Sequence, residues 1–201
     1  MRLAIAITAV VALAGLHLAA LYAVLHPKVS QEYRAHYIDK VTMDWNVQHY
    51  HSTPEEGIDL TRPGWPAFVE YSFGISKAEK FGSWTDTRMG LKSGFEFNRS
   101  FIGPVCVVLN AMPADSIRSH RVPLEFGDQD KDIAFGRDQS MRSYFVDFDL
   151  PSPATTLALR FPKPLPRTSH ENPRQVGVAL NRIRIFSQPC AALSQLVVEG
   201  Q

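Results

Sequence analysis

The chain has 201 residues, with 21 basic and 20 acidic side chains and a formal net charge of +1. So even a balance, with no block of Lys and Arg, argues against nucleic acid as a partner. Hydrophobic residues make up 45% and charged residues 20%, a globular rather than a disordered composition. Fourteen prolines and 12 glycines favour short strands and turns over long helices.

Residues 3–25 read LAIAITAVVALAGLHLAALYAVL, with His17 as the only strongly polar side chain. A helix of that length and polarity is expected to cross a hydrocarbon core of about 30 Å. The apolar region of a cleaved signal peptide is usually shorter, and Leu21-Tyr22-Ala23 is a poor cleavage site. The expectation is therefore a retained signal-anchor over residues 1–27. It makes the chain a single-pass protein of the bacterial inner membrane, with its C-terminal domain in the periplasm. Gly15, Ala19 and Ala23 lie four apart and form a small-residue stripe that lets another helix approach.

Residues 28–64 are polar and irregular, with a short helix expected over 31–40. Residues 65–76, WPAFVEYSFGIS, read as a strand. Alternating or short apolar runs recur at 90–97, 104–112, 121–126, 143–148, 155–161 and 176–186, separated by Gly, Pro, Asp and Asn. Short strands spaced by turn chemistry predict a mainly β fold, a jelly-roll or β-sandwich, over residues 65–190, followed by a tail at 191–201.

Cys106 lies in an apolar run and Cys190 follows the last strand. They are a disulfide candidate, although spacing alone does not bring their Cα atoms within reach, and two buried thiols are the other reading. Asp128, Asp130 and Asp132 place carboxylates at alternate positions, a weak calcium candidate. Ile133 stands where an EF-hand loop needs Gly, so a solvated acidic turn competes with it. His49 and His51 point to one face of a strand but lack a clear third ligand beside Glu55 and Glu56. No cofactor is otherwise expected. There is no G-x-S-x-G elbow, phosphate-binding glycine loop or H-E-x-x-H motif, and no catalytic residue is singled out.

Three stretches together carry a resemblance. Glu79-Lys80-Phe81-Gly82-Ser83-Trp84-Thr85-Asp86 is similar to an E-x-W-G-x-W-S/T pattern. Phe161-Pro162-Lys163-Pro164-Leu165-Pro166 is a proline-rich stretch. Asn172-Pro173-Arg174-Gln175-Val176-Gly177-Val178-Ala179-Leu180 is similar to a D-x-R-x-L-G-I-A-L pattern before a final strand. Together they resemble the galactose-binding-like β-sandwich domain of unknown function appended to bacterial phosphoglycerol transferases and surface-polysaccharide glycosyltransferases. The resemblance covers residues 67–187. Phe81 stands where Trp is usual and Asn172 where Asp is usual.

What the resemblance implies is a link to envelope glycans without transferase activity, since the catalytic region of those enzymes is absent from the match. The leading expectation is a membrane-anchored, non-catalytic accessory protein for the synthesis, export or modification of an envelope glycan. Its partners would be a membrane glycosyltransferase or glycan exporter, and polysaccharide itself. A glycan-modifying hydrolase or transferase using dispersed groups such as Glu79 or His170 is the first alternative. A purely structural protein–protein module is the second.

Within the resemblance, Trp84 offers an apolar face for sugar C–H groups. Glu79, Asp86, Asn172 and Arg174 offer hydroxyl partners. The competing reading is a packing Trp and a Glu79–Arg174 pair that locks two loops.

Overall fold

Residues 2–26, 28–44, 46–118, 120–168 and 173–193 are described by the computed structural model, as are the side chains of all of these except 2–6 and 9. Helix α1 runs Arg2–Leu25. Its side chains from Val10 to Leu25 are all exposed. Among the described residues no helix is long and apolar enough to cross a membrane. This corrects the expected inner-membrane anchor, and with it the single-pass, periplasmic placement.

In place of one helix at 31–40, α2 (Gln31–Tyr33) is capped by the Ser30 side chain and runs into a π-helical turn, Arg34–Ile38. The irregular stretch that follows carries two short strands, β1 (His49–Tyr50) and β2 (Ile58–Asp59). The expected strand at 65–76 is split into β3 (Trp65–Pro66) and β4 (Val69–Phe73). Next come β5 (Ser83–Asp86) and the 22-residue β6 (Lys92–Pro113), then β7 (Arg121–Phe126) and β8 (Gln129–Ala134). The 19-residue β9 (Arg142–Arg160) and β10 (Val176–Phe186) complete the set.

The main sheet runs β2-β10-β6-β9-β7-β8, with β4 also on β6 and β5 also on β10. β6 and β9 pair along their whole length, but the ladder breaks in the middle. Glu96 pairs with Thr156 and Phe101 with Ala154, then Gly103 with Leu150. Pro151 and Pro153 fall in the unpaired gap of β9, where a missing N–H costs no ladder bond. Gly103, at φ 78°, sits at the matching point of β6. Each long strand therefore bends and serves two layers. One layer holds β4, the first part of β6, the second part of β9, β7 and β8. The other holds the second part of β6, the first part of β9, β10, β5 and β2. The result is a mainly β sandwich.

Between the layers, Phe95, Leu124 and Leu157 of the first share a small void with Leu109, Leu180 and Ile183 of the second. Phe97, Phe101, Phe126 and Phe148 extend the core, with ring centroids 5.3–6.3 Å apart. Each such pair adds roughly 0.5–1.5 kcal/mol beyond the area it buries. On the far side of β6, Cys106 is joined to Cys190 in a disulfide with Cα atoms 4.8 Å apart. This ties the segment after β10 to the middle of the sheet.

Candidate glycan-binding loop

The Glu79–Gly82 loop is closed by its own backbone. Glu79 N–H donates to Gly82 O at 2.8 Å, and Gly82 N–H returns the bond at 3.0 Å. Gly82 has φ 138°, and a Cβ there would lie 2.2 Å from the Leu180 carbonyl oxygen. Only glycine fits a loop pressed this closely on β10. Asn181 secures the tip by donating its side-chain amide to Phe81 O at 2.9 Å. The tip therefore presents Phe81, which is exposed, against half-buried Trp84, with rings edge-on and centroids 5.8 Å apart.

Arg174, at the entry to β10, donates from Nη1 to Glu79 Oε1 at 2.5 Å, although the two are 95 residues apart in sequence. Both side chains keep about a third of their surface exposed. The pair thus joins two loops and leaves polar edges open to solvent. Asn172 and His170 lie outside the described residues.

Asp86 differs from its neighbours. Its side chain has no exposed surface. Its carboxylate accepts from Arg88 Nε at 3.0 and 2.9 Å and from Arg88 Nη2. It also accepts from the backbone N–H groups of Arg88 at 3.1 Å and Gln175 at 3.3 Å. Burial pushes this carboxyl up, but the Arg88 and backbone hydrogen bonds outweigh it and hold the group below the ordinary carboxylate range.

The rest of β5 is anchored in the same way. Ser83 donates to Leu60 O at 3.0 Å, and Thr85 accepts from Val178 N–H at 2.8 Å. Just beyond the strand, Thr87 accepts from Leu165 N–H at 3.0 Å. The Ser83–Thr87 stretch is thus a polar peg between β10 and the proline-rich segment, and Trp84 is the residue that it turns outward. Ser76 bonds Trp84 on both sides of its peptide. Ser76 also lines a cleft of about 490 Å³ with Trp65, Arg62, Asp44 and Lys77.

In the sequence Phe81 stands out only as a departure from a pattern, and Arg88 carries no motif. The two-residue spacing Asp86-x-Arg88 was the available signal for the latter.

The acidic stretch is placed elsewhere. Gly127, at φ 57°, and Asp128 make the turn of the β7–β8 hairpin. Asp130 stands opposite Glu125, and Asp132 lies 3.9 Å from Arg121. Among the described residues, one group of His, Cys, Asp or Glu is gathered closely enough to share a metal. It is Cys106, Asp147 and Cys190, and its two sulfurs are bonded to each other.

Residues 43–187 match the family described as a domain of unknown function, DUF7024. Phosphoglycerol transferase I of Escherichia fergusonii is 24% identical over 130 residues, which cover 62% of this chain and 17% of that protein. The Escherichia coli O157:H7 protein of the same name matches to the same extent. The chain therefore spans 17% of the length of these curated relatives.

Among solved structures, a mutant of the carbohydrate-binding module CBM29-2 aligns at a TM-score of 0.42 and 11% identity, over 66% of this chain and 90% of that one. A family 29 carbohydrate-binding module aligns at 0.39 and 11%, over 72% and 96%. Likenesses of this depth bear on neither function nor site.

Proposed function

This chain belongs to the DUF7024 family, and from that premise we propose that its sandwich is a non-catalytic glycan-contacting domain. It serves enzymes that build or modify envelope glycans. The single observation that carries the reading is the Glu79–Trp84 loop. Exposed Phe81, packed on half-buried Trp84, stands on a backbone-closed loop beside a Glu79–Arg174 ion pair about a third exposed. Sugars need that combination, a flat apolar surface for C–H faces and fixed donors and acceptors for hydroxyls. Similarity to part of phosphoglycerol transferase I supports a glycan as the ligand and a glycan-building enzyme as the partner.

In this reading Trp84 and Phe81 stack on the sugar, and Glu79 and Arg174 bind its hydroxyls. Asp86 is a positioning residue that fixes β5 through Arg88. Asn172 belongs to the same proposed site. The test is calorimetric titration of the purified full chain with a panel of neutral hexose oligosaccharides. Trp84→Ala is expected to lower affinity at least tenfold, since one stacking ring contributes on the order of 1–3 kcal/mol, while the melting temperature stays within a few degrees. Wild-type affinity in both Trp84→Ala and Glu79→Gln would remove the loop from the site.

A further inference from the structure

The outer face of the first layer carries a second groove. In the ladder between β4 and β6, Tyr71 pairs with Glu96 and Phe73 with Gly94, while Phe95 and Phe97 point to the core. Tyr71 and Phe73 therefore share the outward face, with ring centroids 6.2 Å apart. Next to them on that face are Glu96 and Lys92 of β6 and Thr156 of β9. The α2 segment and its π-helical turn rise along one side with Gln31, Arg34 and Asp39. Together these residues line a groove of about 750 Å³. A π-helical turn is rare and often marks a functional position.

Several groups here are fixed without being used up. Thr156 donates to Glu96 Oε2 at 2.6 Å, which orients the carboxylate and leaves its other oxygen open. Lys92 is held at 2.5 Å from Glu125, which Arg160 also binds. Among the described residues the Tyr71 hydroxyl makes no hydrogen bond. Burial, then the charges of Glu96, Glu70 and Asp39, push it above its ordinary range, so it stays a protonated donor at all working pH values. The lining charges cancel, with Arg34 and Lys92 against Asp39 and Glu96. Glu70 lies close by, raised by burial and by Glu96 and Glu32.

We infer that this groove is a second carbohydrate subsite, taking an uncharged stretch of glycan chain. Two rings on one strand face make a stacking platform, and an acid-flanked groove with no net positive charge disfavours phosphate or uronate groups. The inference rests on the glycan-binding reading above but uses none of the residues of the Glu79–Trp84 loop.

The experiment titrates the full chain with neutral hexose oligosaccharides and, separately, with a uronic-acid oligosaccharide of matching length. It compares wild type, Tyr71→Ala, Tyr71→Phe and Trp84→Ala. Tyr71→Ala is expected to weaken binding of the neutral chain at least tenfold. Tyr71→Phe, which keeps the ring and the fold, is expected to weaken it several-fold by loss of the donor. The uronate is expected to bind at least tenfold more weakly than the neutral chain.

If Tyr71 variants bind as wild type while Trp84→Ala does not, the groove inference is overturned and the loop reading stands. The reverse pattern overturns the loop and keeps the groove. Tighter binding of the uronate overturns the uncharged-ligand assignment, and absence of binding to every oligosaccharide overturns both.

Discussion

Asp86 is the residue on which the candidate loop depends most, because it is wholly buried and five hydrogen bonds converge on its carboxylate. Its folded-state pKa is depressed below the unfolded value. The stability it contributes is therefore present above the unfolded carboxylate range near pH 4 and is lost as pH falls through the folded value. Asp86→Asn should lower stability at pH 7 by about 2 kcal/mol, less than for a fully enclosed pair because Arg88 is partly exposed. It should also flatten the acid side of the melting curve. An unchanged acid limb in the variant would show that Asp86 is not its source. Gly82→Ala should cost roughly 1–3 kcal/mol, since it combines a left-handed backbone with a contact on the Leu180 carbonyl, and thermal melts measure it. The Glu79–Arg174 meeting was legible in the sequence only through the resemblance, because no local rule joins residues so far apart. The Tyr71–Phe73 platform was in plain view in EYSF. Which face each ring takes is fixed by the register with β6, which the segment alone does not contain.

Elements were legible in proportion to how apolar they are. β7 and β10 lie at the expected bounds, each with buried residues recurring along it. β6 and β9 were read as separate halves because Asn98-Arg99-Ser100 and Pro151-Ser152-Pro153 look like turns. They are bends inside continuous strands, and the bends create the two layers. β8, QDKDIA, was read as an acidic loop. Its charges suit a sheet edge, where they discourage pairing with another chain. β5 was missed because its polar side chains are satisfied by distant backbone groups rather than by an alternating apolar face. The Cys106–Cys190 disulfide closes a loop of 84 residues. In the chain-entropy view this is worth up to about 4–5 kcal/mol. A Cys106→Ser/Cys190→Ser double variant should melt well below the wild type, and reductant should lower the wild-type transition toward it. A melting temperature insensitive to both would show that the bond does not restrain the fold.

For the molecule as a whole, the sandwich carries two candidate sugar-contacting surfaces. One is a rigid aromatic loop at the edge of β5, the other a groove on the outer face of β4, β6 and β9. The described side chains of helix α1 are all exposed, and none of them lines the groove. Binding should therefore survive changes in α1, and pull-down on immobilised neutral glycan with an α1-substituted chain checks this. The central claim is that the domain holds glycan at the Glu79–Trp84 loop and leaves it chemically unchanged. The most direct measurement is an NMR titration of the isotope-labelled full chain with a neutral hexose oligosaccharide, with the sugar analysed afterwards. Saturable shifts of the Trp84 indole N–H and of the backbone amides of Glu79, Phe81 and Gly82 are expected, with the oligosaccharide recovered intact. No saturable shift at these positions, or recovery of a cleaved or modified sugar, would contradict the central claim.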